Sequence, residues 1–269
     1  MAEGVTSDKR PSGFLGKIAG KVGNLGLFAV LLCVWQYVSM VVLDSTSRVL
    51  LPAPTVIFAA AWELLSSGEL LRHTRDSLKR ELVAFLWASA SIPIGIAMGW
   101  WRQAERQLDP IMEMLRPIPP LAWIPLSILW FGIGDAQNQF IIFLGIFFPI
   151  LLNTINGVKG IELNLIRAAR CLGASEADIL WRIVLKAAMP QIVTGIRVGL
   201  GVGWMALVAA ELVGANSGLG FLINDARTVL RTDFIIVGMA TIGLVGLLID
   251  QAIRELGRRL LPWSQGMGR

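Results

Sequence analysis

Residues Ala136–Val158 read AQNQFIIFLGIFFPILLNTINGV, 23 positions without one charged side chain. A hydrocarbon core of about 30 Å needs about 20 helical residues to cross it, so this run alone can span a bilayer. Further runs lie outward from it: Pro117–Gly134 and Leu82–Trp101 before, Ala187–Ala210 and Phe234–Ile249 after, and Val22–Leu43 near the start. Only Arg197 interrupts the Ala187–Ala210 run. The whole chain is 55% hydrophobic and 16% charged, with a mean hydropathy of +0.65 over 269 residues, too apolar for a soluble fold of this size. Backbone in lipid must satisfy its own hydrogen bonds, and no run shows the alternation of a barrel strand, so the spans are helices. The expectation is an all-α polytopic membrane protein with six transmembrane helices. It divides into a tail at 1–21, a membrane domain at 22–262 and a tail at 263–269.

The charges between the runs set an orientation. With the N-terminus inside, the inner segments hold 16 basic residues and the outer ones 7, which places both termini in the cytoplasm. The cluster Arg72–Arg80 falls on the outer side, tempered by Glu69, Asp76 and Glu81. The net charge of +5 therefore reflects topology and not nucleic-acid binding. The first run has a basic start but is long for a signal peptide and lacks a small-x-small site, so it reads as a retained helix. Cys33 falls in a span and Cys171 in an inner loop, so they do not pair, and no metal-type spacing exists. The one histidine, His73, has no second ligand nearby and reads as an interfacial residue.

Several connections carry their own signals. LPAPTVIFAAAWELLSSGEL (51–70) reads as a helix bounded by proline, with Thr55 able to cap it, lying along the outer membrane face. Pro93, Gly95 and Gly99 allow a kink and close helix contact in the second span. RPIPPLAWIPL (116–126) carries four prolines, which break a helix. Two readings stay open there: irregular backbone facing protein or a cavity at membrane depth, or an entry loop at the interface. Asn153, Thr154 and Asn156 should face other helices and not lipid.

The longest inner connection, residues 159–186, is helix-forming. Ile161, Leu165, Ala168, Ala169 and Leu172 make an apolar stripe, Gly173 interrupts it, and Ser175 with Asp178 gives a capping-box-like restart. This is a helix, a glycine turn and a second helix. On its own the pattern also suits an ordinary interfacial helix pair.

AARCLGAS, followed by WRIVL (181–185) and AMP (188–190), resembles the EAA loop of permease subunits in ABC importers. LPAPTVIFAAAWELLSSGEL, RPIPPLAWIPLSILWFGIGD, PILLNT and GLGVGWMALVAAELVGANSGLGFLI are similar to the nitrate/sulfonate/taurine branch, most of all its taurine and aliphatic-sulfonate members, over roughly residues 50–263. The resemblance implies a type I ABC importer permease fold in the bacterial inner membrane. It implies three kinds of partner: two copies of an ATP-binding cassette subunit, a periplasmic solute-binding protein, and a second permease copy. It further implies that Ala168, Ala169, Gly173, Ala174 and Ser175 dock in the ATP-binding subunit. Two positions depart from the pattern: Arg167 replaces the glutamate that names the loop, and Lys186 replaces a proline.

The chain has no G-x-x-x-x-G-K-[ST], so ATP and Mg belong to the partner and this chain binds no cofactor. GLGVG at Gly199–Gly203 lies in an apolar span and reads as close helix packing. No paired carboxylates, nucleophile–base pair or metal set stands out, so the chain is not expected to be an enzyme. Within the fifth span Arg197, Trp204 and Glu211 fall at seven-residue intervals on one stripe. If that stripe lines the path, Arg197 attracts an anion and Glu211 orders an outer gate; otherwise Arg197 snorkels or pairs with another helix, and Glu211 bonds nearby backbone N–H groups. For the glycine-rich VGANSGLGFLIN (213–224) the resemblance implies a re-entrant scoop near the outer gate, while ordinary loop chemistry also explains Gly214, Gly218 and Gly220. The competing class, a secondary transporter or channel working alone, calls for coupling carboxylates inside the membrane and an inverted repeat, and neither is visible.

Overall fold

The computed structural model describes residues 26–262 except Phe28. Both expected tails, and the first four residues of the Val22–Leu43 run, lie outside the described residues. In chain order the helices are α1 (Ala29–Val42), α2 (Ser45–Leu50), α3 (Pro54–Ser66), α4 (Glu69–Trp100), α5 (Arg102–Leu115) and α6 (Pro120–Phe131). They are followed by α7 (Asp135–Lys159), α8 (Leu163–Cys171), α9 (Glu176–Gly214), α10 (Leu219–Thr228) and α11 (Thr232–Leu260).

Four of these are long and apolar enough to cross a membrane: α4, α7, α9 and α11. The pair α5 and α6, bent by 80° where the prolines stand, makes a fifth when taken as one broken span. Pro120–Trp123 is wound as a 3₁₀ turn, a cavity opens beside the bend, and residues 115–119 of the break are exposed. α1 is a shorter apolar helix, so four or five crossings are seen among the described residues, roughly the expected count.

α7 and α9 form the central pair, and α4 packs on α7. Close approach depends on small residues. A Cβ at Gly95 or Gly99 would press into Thr154 or Val158, and one at Gly199 into the Ile146 carbonyl and Ile150. Without a hydrophobic force between helices in lipid, such approaches supply the van der Waals contact that holds them. The GLGVG segment packs helices, as its setting suggests.

Three local expectations change. Thr55 does not cap α3; Ala53 is the cap residue and Pro54 opens the helix, while the Thr55 hydroxyl accepts a hydrogen bond from Gln36 of α1 (3.1 Å). Asn153 pairs with Gln191 of α9 (3.0 Å) and Thr154 is buried, but Asn156 is exposed. His73, read as an interfacial residue, is buried against other helices, as are Arg80 and Glu81, while Arg72, Arg75 and Lys79 on the same helix are exposed.

Candidate functional site

α9 carries a structured feature at each end. At the hairpin end, α8 stops at Gly173, whose φ of +83° reverses the chain. The Ala174 N–H donates to the Ala169 carbonyl (3.1 Å), the long bond of a Schellman stop, and glycine takes the left-handed position at no steric cost. The Ser175 hydroxyl then accepts from the Asp178 N–H (3.1 Å) and donates to its carboxylate (2.6 Å), restarting the helix as its spacing predicts. Helix Glu176–Asp178 widens into a π-helical stretch at Ile179–Val184 and continues into α9 without a gap. Arg170 and Glu176 pair across the turn (2.8 Å), and the carboxylate pushes the guanidinium further above its ordinary range.

The stripe on α8 is rotated from its expected position. Ile166 and Ala169 pack inward against Ile179 and Val184, while Leu165, Ala168 and Leu172 face out. Of the five predicted docking residues, Ala168, Gly173 and Ser175 are exposed and Ala174 is half-buried. Ala169 is buried at 8% exposure, so it supports the surface without contributing to it. Leu172 (88% exposed) and Trp181 (67%) leave apolar surface open beside them.

At the glycine end, Glu211 is 1% exposed. Its carboxylate accepts from the Ser77 hydroxyl (2.8 and 2.9 Å), from Arg80 (2.7 Å) and from the Gly220 N–H (2.9 Å) at the start of α10. A carboxylate suits that place, where the first N–H groups of a helix lack partners and the dipole is positive. Arg80 also donates to Asp135 (2.7 Å), the Ser217 carbonyl (2.6 Å) and the Ser217 hydroxyl (2.9 Å). The Gly218 N–H donates to His73 Nδ1 (3.0 Å) and the Leu219 N–H to the Ser77 hydroxyl (2.9 Å). Gly218, at φ +112°, lies so close to the Glu211 carboxylate that a Cβ there would overlap it. This buried lock ties α4, α7 and α9 to the glycine-rich turn.

Sequence reasoning placed Glu211 here but missed its partners. His73 is buried in the lock, and is not interfacial. Arg80 is its central cation. The available signal was the spacing of His73, Ser77 and Arg80, a polar stripe on one helix face feeding without a breaker into an apolar span. Glu81, also 4% exposed, has no hydrogen-bond partner for either oxygen among the described residues. Two carboxylates, Glu81 and Glu211, are thus buried within the helix bundle.

Arg197, Trp204 and Glu211 each turn to a neighbouring helix. Arg197 forms a two-point ion pair with Asp250 of α11 (2.5 and 3.2 Å), which Arg254 shares (2.8 Å). The Trp204 indole N–H donates to the Ile242 carbonyl of α11 (3.1 Å) and the ring is buried. The three do not converge on one cavity, and the Arg197 charge is balanced within the chain. Among the described residues no group of three or more His, Cys, Asp or Glu could hold a metal ion.

Membrane-crossing helices around a polar lock, with a helical hairpin projecting from one end, define a polytopic permease. Residues 91–261 match the family of binding-protein-dependent transport system inner membrane components, and the chain belongs to it. It is 43% identical to a putative ABC transporter permease protein of Methanocaldococcus jannaschii, covering 91% of this chain and 92% of that one. It is 42% identical to the taurine transport system permease protein of Escherichia coli (strain K12), covering 89% of each. Its fold matches a chain of the inward-facing MetNI methionine ABC transporter with a TM-score of 0.64 at 20% identity, covering 72% of this chain and 97% of that one.

Proposed function

We propose that this chain forms the translocation path of an ATP-driven importer for small sulfonate-type anions, with taurine and alkanesulfonates ahead of nitrate- or bicarbonate-type ions. Two copies enclose the path, and two ATP-binding cassette subunits, which hold the ATP and Mg, grip the hairpins from the cytoplasm. A periplasmic binding protein delivers solute at the glycine end, and both termini are cytoplasmic. The observation that carries this reading is the continuity of α9: one unbroken helix of 39 residues joins the hairpin to Glu211. Motion imposed on Ala168, Gly173, Ala174 and Ser175 therefore reaches the lock through one continuous helix. Closure of the ATP-binding subunits on ATP draws the hairpins together and opens the path outward, and hydrolysis reverses it, so each state is selected by its own contacts.

The chain's membership in a binding-protein-dependent family and its 42% identity to a taurine permease support the substrate class. The test is transport in vesicles supplied with the cognate periplasmic binding protein and holding this chain with and without its co-expressed ATP-binding subunit. Uptake is expected only with that subunit and ATP, and Gly173→Asp should abolish it while leaving membrane insertion intact. Uptake by this chain alone would favour a stand-alone transporter or channel.

A further inference from the structure

A cavity of about 420 Å³ opens at the elbow between α5 and α6. Its long wall is one face of α7, where Phe140, Leu144, Phe148 and Leu152 recur every fourth residue and bracket the middle of the helix. Trp123 closes it, standing edge-on to Phe140 at 6.3 Å between ring centroids. The size suits a small organic molecule, since ligand pockets run from about 300 to 1,000 Å³.

One charged residue lines this cavity, Arg116, and no carboxylate does. Among the described residues the exposed Arg116 side chain has no ion pair or hydrogen bond, whereas Arg80 and Arg197 are held in ion pairs. A guanidinium beside an apolar, aromatic space is left with its planar donors unused, and a sulfonate can take two of them at once. The walls favour an alkyl or aryl tail. They offer no side-chain carboxylate to an ammonium, which would have to give up its water for aromatic faces alone.

Resting on the importer reading above, we infer that this cavity is a solute site for sulfonates with an apolar tail, Arg116 binding the sulfonate and the Trp123–Phe140–Phe148 wall the tail. It ranks butane- or hexanesulfonate above taurine, and taurine above nitrate. The ranking follows from area: each buried methylene contributes about 0.8 kcal/mol, or roughly fourfold in affinity.

The experiment measures binding to the purified permease–ATPase complex in nanodiscs by calorimetry, and ATP-driven uptake in vesicles, for hexanesulfonate, butanesulfonate, taurine and nitrate. Binding is expected to tighten with chain length, to fall at least tenfold in Arg116→Gln, and to be partly restored in Arg116→Lys. Leu144→Trp, which fills the cavity, should also abolish it. Co-purification of the ATP-binding subunit with each variant verifies folding. Taurine binding as tightly as hexanesulfonate, or Arg116→Gln binding like the wild type, would overturn the assignment. An anionic headgroup offers similar chemistry, so the discs are made with phosphatidylcholine alone and with added phosphatidylglycerol. Loss of sulfonate binding only in the anionic discs supports a solute site that lipid can enter. Absence of sulfonate binding in both overturns it. ATP-dependent sulfonate uptake that ignores Arg116 would remove this site and leave the importer intact, while uptake without the ATPase would remove the importer reading itself.

Discussion

The two ends of α9 are built on opposite principles, although each is made around a glycine with positive φ. At Gly173 an added Cβ would meet open space, and the nearby ion pairs, Arg170–Glu176 and Asp178–Arg182, are solvent-exposed. At Gly218 an added Cβ would strike the Glu211 carboxylate, and the Arg80–Glu211 ion pair is buried. Exposed pairs contribute little to stability, whereas breaking one partner of a buried pair is costly. The hairpin end is thus held by backbone geometry and left open for a partner, and the glycine end is closed on itself by charge.

Mutations can break this contrast. The largest effect is expected for Arg80→Ala, which strands Glu211 beside Glu81 without its cation and should cost about 3–5 kcal/mol. Thermal unfolding in detergent would show it, and an unchanged midpoint would mean the lock contributes nothing. Gly218→Ala should follow at about 3 kcal/mol, combining a backbone conformation almost reserved for glycine with displacement of a bound carboxylate. Glu81→Leu, one residue along from Arg80, should act in the opposite direction. It removes a buried carboxyl that no group satisfies and should stabilise by about 1–3 kcal/mol in the same assay. Gly173→Ala bears only the left-handed strain and should cost about 1 kcal/mol. Equal losses at 173 and 218 would dissolve the distinction between the ends. Arg170→Ala should leave the unfolding midpoint unchanged, and its effect, if the hairpin docks the ATPase, should appear as weaker co-purification of that subunit.

The same contrast explains what was legible in the sequence. The spans could be read because each is a run with at most one charge near the length a bilayer demands, and the bend before α6 because prolines cannot continue a helix. The hairpin could be read because Gly173, Ser175 and Asp178 act on neighbours within a few residues. The lock is different in kind. Arg80 meets Asp135 and Glu211 at separations of 55 and 131 residues, which no local pattern encodes. The charges of Arg72–Glu81 show that a helix runs into the span, but not that the face carrying His73, Ser77 and Arg80 turns inward while Arg72, Arg75 and Lys79 stay exposed. The rotated stripe on α8 has a similar origin: apolar periodicity could not distinguish the face packed on Ile179 and Val184 from the one left bare.

The π-helical stretch Ile179–Val184 gives α9 a property that a uniform rod would lack. Such a wide turn holds roughly one residue more than an α-helical turn, stored in place without cutting the chain. Rewinding it would advance the threading by one position and twist the hairpin by about 100° relative to Glu211. A pull from below could then emerge above as torque.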